Sequence, residues 1–188
     1  MESDGTYRAP RASRIPMSWI FRNETFAPSD WTILARFWHP VAYSHDVADR
    51  PRAARLLEQD LVVYRGPGGV TVARDICLHR GVRLSRGRME AGEIVCPYHG
   101  LRYDGTGRCT LIPAQEPGIV ITSKLNLQVF PSVERYGLVW TCLEPADTAP
   151  ALPDWPAYDA SRRATMVFNT ESVVADDPMP EVRKILLG

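Results

Sequence analysis

Cys77-Leu-His-Arg-Gly81 and Cys96-Pro-Tyr-His-Gly100 are two short arms with the same order of parts: a thiol, an imidazole and a glycine. Sixteen residues separate His79 from Cys96, enough for a strand out and a strand back, so the two arms can meet at their tips. Each arm delivers a soft thiolate and a borderline imidazole to nearly the same point, a donor set that suits either tetrahedral zinc or an iron-sulfur cluster. The chain has 4 Cys and 4 His, and two of each in this spacing point to a metal site. The blander reading, buried structural cysteines beside satisfied surface histidines, leaves the repeated order of the arms unexplained. Zinc-finger spacing usually pairs Cys with Cys and His with His on separate elements, whereas each arm here mixes the two types. Gly81 and Gly100 permit backbone turns that other residues resist, and Pro97 stiffens the second arm.

Outward from the arms the pattern is that of strands. Leu61-Val-Val-Tyr-Arg65, a turn at Gly66-Pro-Gly-Gly69 and Val70-Thr-Val-Ala-Arg74 predict a hairpin that leads into the first arm. Glu93-Ile-Val enters the second arm, and the chain leaves it through Leu101 to Cys109, with a turn built on Asp104, Gly105 and Gly107. A further hairpin is predicted over Leu125 to Val133 and Leu138 to Leu143, turning at Arg135 to Gly137. Trp31 to Tyr43, rich in aromatic and β-branched residues, also reads as strand material. The expectation is an all-β body over 29–144. An irregular arm over 1–28, broken by Pro10, Pro16 and Pro28, precedes it, with Trp19, Ile20 and Phe21 pinning the arm to the body. A proline-rich linker over 145–160 follows, because proline lacks the donor that helices and sheets need, and then a tail over 161–188 with no recognisable motif.

The residues now carry a resemblance. Cys-x-His-Arg-Gly, a spacer, then Cys-Pro-Tyr-His-Gly resembles the Rieske signature, in which two Cys hold one iron of a [2Fe-2S] cluster and two His hold the other. That resemblance implies Cys77 and Cys96 on the inner iron and His79 and His99 on the outer one, in an antiparallel β-sandwich with two cluster-binding loops. It extends over roughly 29–144, to the amino-terminal domain of ring-hydroxylating and demethylating non-haem iron oxygenases, through Trp38-His-Pro-Val-Ala, Leu84-Ser-Arg-Gly87, Asp104-Gly-Thr-Gly-Arg-Cys with Ile112-Pro113, and Tyr136-Gly-Leu-Val-Trp140. Leu101 departs from it, since the family usually has Trp there. The implied role is electron transfer from a reductase or ferredoxin to a mononuclear iron in a partner domain or subunit, within a head-to-tail ring that is homotrimeric where the catalytic domain is present.

Counting adds a constraint. A mononuclear iron site of this kind takes two His and a carboxylate, and no His follows His99. The expectation is therefore an oxygenase subunit whose catalytic part is missing from this chain. A stand-alone Rieske ferredoxin is the first alternative, and a zinc module that uses the arginine-rich loop as a binding face is the second. His39 and His45 with Asp46 or Asp49 make no triad, because Pro40 breaks the spacing.

With 22 basic and 22 acidic residues, nothing in the balance points to nucleic acid or an anionic membrane. No apolar run reaches membrane-helix length and the first thirty residues lack a hydrophobic signal core, so a cytoplasmic location is expected. The loops lack the additional disulfide-forming Cys of the membrane-anchored respiratory proteins of this type. Cys109 and Cys142 are left over and are expected to be reduced and packed. Arg80, Arg83, Arg86 and Arg88 form a basic stretch, read either as a docking face for an acidic electron donor or as a solvated loop.

Overall fold

The structure, a computed structural model, describes residues 28–116, 118–144, 151, 152 and 154. Residues 1–27, with Trp19 to Phe21, and the tail over 161–188 lie outside these, as does most of the 145–160 linker. The described residues belong to one compact unit.

Among the described residues, eleven antiparallel strands lie in three sheets. The first sheet joins β1 (His39–Tyr43), β11 (Leu138–Thr141) and β10 (Ser132–Arg135) in that order. The second runs β2 (Arg52–Leu56), β3 (Gln59–Gly66), β4 (Gly69–Arg74), β9 (Val129–Phe130). The third runs β5 (Arg88–Glu90), β6 (Glu93–Val95), β7 (Arg102–Tyr103), β8 (Cys109–Leu111). The hairpin expected at Leu61 to Arg74 is β3–β4, with Val63 opposite Val72, and the one at the carboxyl end is β10–β11.

The run Leu61-Val-Val-Tyr64 explains the layering. Successive side chains of a strand point to opposite faces, and all four residues are fully buried. Leu61 and Val63 enter one core with Val47, Val72, Phe130 and Val139, which fills the space toward the first sheet. Val62 and Tyr64 enter the other, with Ala73, Leu84, Ile94, Leu101 and Tyr103, toward the third sheet. The middle sheet is thus shared; the first arm follows β4 of this sheet and the second joins β6 to β7 of the third. Two side-chain hydrogen bonds fasten the middle sheet to the β7–β8 turn: Tyr64 Oη donates to the Asp104 carbonyl at 2.7 Å, and Thr71 Oγ1 donates to the Gly105 carbonyl at 2.7 Å.

One expectation is corrected. Of Trp31 to Tyr43 only the last part is strand, because Pro28–Leu34 forms a helix, α1. Pro at the first helical position and Asp30 in the first turn are helix-start signals that outweigh the β-branched Thr32 and Ile33. Seven residues are too few for a self-sufficient helix. Tertiary contacts hold α1 in place: His39 Nε2 donates to the Leu34 carbonyl at 2.8 Å, and the Ala35 carbonyl accepts from Glu144 N at 2.8 Å and Cys142 Sγ at 3.4 Å. His39 is committed to that cap, and His45 stands beside Asp46 at 3.4 Å, so neither belongs to a metal triad.

Candidate metal centre

The two arms are closed by the same pair of backbone hydrogen bonds. Gly81 N donates to the Cys77 carbonyl at 2.8 Å and Cys77 N to the Val82 carbonyl at 2.8 Å. Gly100 N donates to the Cys96 carbonyl at 3.2 Å and Cys96 N to the Leu101 carbonyl at 2.8 Å. Each turn needs a left-handed residue at its glycine, and φ is +72° at Gly81 and +71° at Gly100, a conformation that costs an L-residue with a side chain about 1–2 kcal/mol. The arms are therefore structural equivalents, although His is the third residue of one and the fourth of the other.

The four candidate ligands are brought together as like pairs. Cys77 and Cys96 are buried in the core between the middle and third sheets, and their thiols lie beside one another. Burial pushes the Cys96 thiol up, the Cys77 thiol adds to that, and the backbone N–H groups of Tyr98 and His99 pull it down. His79 and His99 are exposed, with their Nδ1 atoms facing across 3.1 Å and ring centroids 4.8 Å apart. Among the described residues no three His, Cys, Asp or Glu side chains converge as a ligand set for one ion. The rings of Tyr98 and His99 lie with centroids 3.7 Å apart and tilted by 33°, and Leu78 and Tyr98, each immediately before an arm's His, are large exposed side chains, Tyr98 at 60% of its surface.

The support beneath the arms is carboxylate and phenol. Asp75, two residues before Cys77, is buried and accepts from Ser85 N at 2.7 Å and Ser85 Oγ at 2.6 Å, which ties the return of the first arm to its entry. Tyr103, fully buried on β7, has its hydroxyl 3.3 Å from Cys77 Sγ. Neither residue was singled out from sequence. The signal for Tyr103 was strand alternation, since it lies two positions after the apolar Leu101 on the strand that leaves the second arm. Of the basic stretch, Arg83 pairs with Asp60 at 2.8 Å and Arg88 with Glu90 at 2.9 Å. Cys109 and Cys142 are free and buried, and burial raises both thiols.

An all-β body that offers a buried thiol pair and an exposed imidazole pair from two matched loops is a small metal-binding domain of mixed soft and borderline ligands. The pattern that defines the Rieske [2Fe-2S] domain matches residues 37–133, and the chain belongs to that family. It is 36% identical over 137 residues to the oxygenase component of dicamba O-demethylase from Stenotrophomonas maltophilia, covering 68% of this chain and 39% of that protein. To the oxygenase subunit of tert-butanol monooxygenase / tert-amyl alcohol desaturase from Aquincola tertiaricarbonis it is 36% identical over 126 residues, covering 66% of this chain and 27% of that one. Among solved structures, NdmB of Pseudomonas putida CBB5 superposes with a TM-score of 0.63 at 34% identity, over 69% of this chain and 41% of that chain. The chain thus spans well under half the length of these relatives.

The family's cofactor is a Rieske-type [2Fe-2S] cluster. The residues present fit it on chemistry: two thiols and two imidazoles, sorted by type, divide naturally between two irons, whereas one zinc would need all four at a single point. No helix among the described residues is long and apolar enough to cross a membrane.

Proposed function

We propose that the chain is the electron-transfer part of a hydroxylating or demethylating Rieske oxygenase, with Cys77 and Cys96 as ligands of one iron and His79 and His99 as ligands of the other. Electrons come from a reductase or ferredoxin and go to a mononuclear iron centre elsewhere in the complete oxygenase, in the cytoplasm. The observation that carries this reading is the sorting of donors: thiol beside thiol in the core, imidazole beside imidazole at the surface. When bound, the cluster supplies reversible one-electron chemistry, at a potential raised by the neutral imidazoles relative to an all-Cys cluster. The buried thiols exclude water from the inner side, and the two glycine turns fix the arms. The exposed imidazoles, flanked by Leu78 and Tyr98, present the edge at which a partner makes contact. The relatives' names include demethylases and a monooxygenase, and the proposed activity of the whole protein follows theirs.

The test is elemental. About two irons and two acid-labile sulfides per chain, with a red-brown colour and a paramagnetic signal on reduction, is the expected result. One zinc and no sulfide sinks it. For the ligands, His79→Cys and His99→Cys are each expected to change the spectrum and the potential, and a variant that keeps both unchanged refutes that residue's assignment.

A further inference from the structure

The two arms close on themselves in the same way, but they stand on different supports. The second arm connects two strands of one ladder, since β6 and β7 pair on either side of it, with Val95 opposite Arg102 and Ile94 opposite Tyr103. The first arm has no ladder beneath it. It leaves β4, which pairs with β3 and β9, and returns through a short 3-10 turn, Leu84–Arg86, to β5, which pairs with β6 in the third sheet. Among the described residues no backbone hydrogen bond joins 74–76 to 83–87.

Side chains supply what the ladder does not. Asp75 is 4% exposed, and its two carboxylate oxygens accept from Ser85 N at 2.7 Å and Ser85 Oγ at 2.6 Å, ten residues further along the chain. Leu84, fully buried, fixes the far side of that tie to the core, so Asp75 fastens the entry of the arm to a fixed point. A second tie lies outside it: Asp60 on β3 accepts from Asp75 N through its carbonyl at 3.0 Å and from Arg83 through its carboxylate at 2.8 Å. The two ties differ in weight. Arg83 and Asp60 form an exposed pair, and such pairs contribute little. A buried polar group left without its partner keeps the full cost of desolvation, so the Asp75–Ser85 tie decides whether the loop holds.

We infer that the first arm is the side on which the centre opens, and that Asp75 is the positioning residue that holds it shut through Ser85, setting how fast Cys77 and His79 take up or give up metal. This rests on the ligand reading above and deepens it, because it gives the two arms different parts: the second is a fixed half-site and the first a hinged one. A purely structural Asp75 would stabilise the whole domain, and metal would then leave only with global unfolding.

The experiment follows iron release from the cluster-loaded full chain to an excess of a colorimetric iron chelator, with far-ultraviolet dichroism of the same samples, from zero urea up to the unfolding transition. Asp75→Ala removes both acceptors, and release roughly tenfold faster than wild type is expected. Ser85→Ala removes one donor and leaves the backbone one, with a smaller acceleration, and Arg83→Ala stays within about twofold of wild type. All these rates are expected to be flat in urea below the transition, because a local opening exposes little surface. Iodoacetamide present during release is expected to label Cys77 ahead of Cys96 in peptide mass spectra. A loaded Asp75→Ala protein with the wild-type rate, release that climbs with urea in step with the loss of dichroism, or labelling of Cys96 first or of both together overturns the inference while the function stands. If Asp75→Ala fails to load, Ser85→Ala decides, and release no faster than from Arg83→Ala overturns the inference. A wild-type chain that takes up no iron and sulfide overturns the function and this inference with it.

Discussion

Gly87 is held to glycine by space, and Gly81 by backbone conformation. At Gly87 φ is −81° and ψ −159°, extended backbone open to any residue. A Cβ there would lie 2.1 Å from the Val95 carbonyl oxygen, 3.0 Å from the Leu84 oxygen and 3.2 Å from the Val95 carbonyl carbon, all backbone. The closest ordinary carbon–oxygen approach is about 3.3 Å, so Gly87→Ala has to part the Arg88–Val95 end of the β5–β6 pair by roughly 1.2 Å. Overpacking of this kind costs about 1–3 kcal/mol, and about 2 kcal/mol moves the thermal midpoint of a domain near 100 residues by roughly 8 °C. Val95 precedes Cys96, so the displacement reaches the second arm. Gly81→Ala meets nothing within 4 Å and is left only with the strain of φ +72°. Asparagine separates the two cases, because it tolerates the left-handed region but is no smaller than alanine. In the loaded chain, melting followed by both the visible cluster band and far-ultraviolet dichroism is expected to show Gly81→Asn above Gly81→Ala, and Gly87→Asn no better than Gly87→Ala. A Gly87→Ala protein with the wild-type midpoint, or rescue of Gly87 by Asn, refutes the steric argument.

Two further outcomes are expected. Glu58 has φ +61° in the two-residue turn between β2 and β3, and its exposed ion pair with Arg55 contributes little; Glu58→Gly should therefore stabilise the chain by about 0.5–1 kcal/mol, read as a raised urea midpoint. Arg65 holds the Glu134 carboxyl below its usual range, through 2.7 and 2.8 Å hydrogen bonds, so Glu134 contributes stability above its unfolded pKa that is lost as pH falls through the folded one; Glu134→Gln should cost up to about 1 kcal/mol at pH 7 and nothing in strong acid, and equal losses across urea titrations at both ends would contradict this.

What sequence made legible depended on how a turn is built. The β3–β4 and β10–β11 hairpins announced themselves because glycine marks their turns. The β2–β3 hairpin has the left-handed pair of the β10–β11 turn, where Tyr136 and Gly137 are at φ +59° and +74°, yet Leu57 and Glu58 occupy those positions at φ +46° and +61°, so no glycine flags it. Helix α1 was misread for the opposite reason: its start signal is present, but its body is Trp31-Thr-Ile, and the contacts from Glu144 and Cys142 that settle the matter come from the far end of the body.

The same distinction runs through the site. Both arms close on themselves within five or six residues, each with its own glycine and its own thiol and imidazole, so local spacing was enough to nominate Cys77, His79, Cys96 and His99. What aims the arms is long-range. Tyr64 reaches 40 residues along the chain to the Asp104 carbonyl, Thr71 reaches 34 to Gly105, and Tyr103 reaches 26 back to Cys77. Each of the three reads in sequence as an ordinary strand residue, because its role is fixed by what the second core places opposite it. The candidate ligands are therefore carried by short segments, and their placement by the sheets between them.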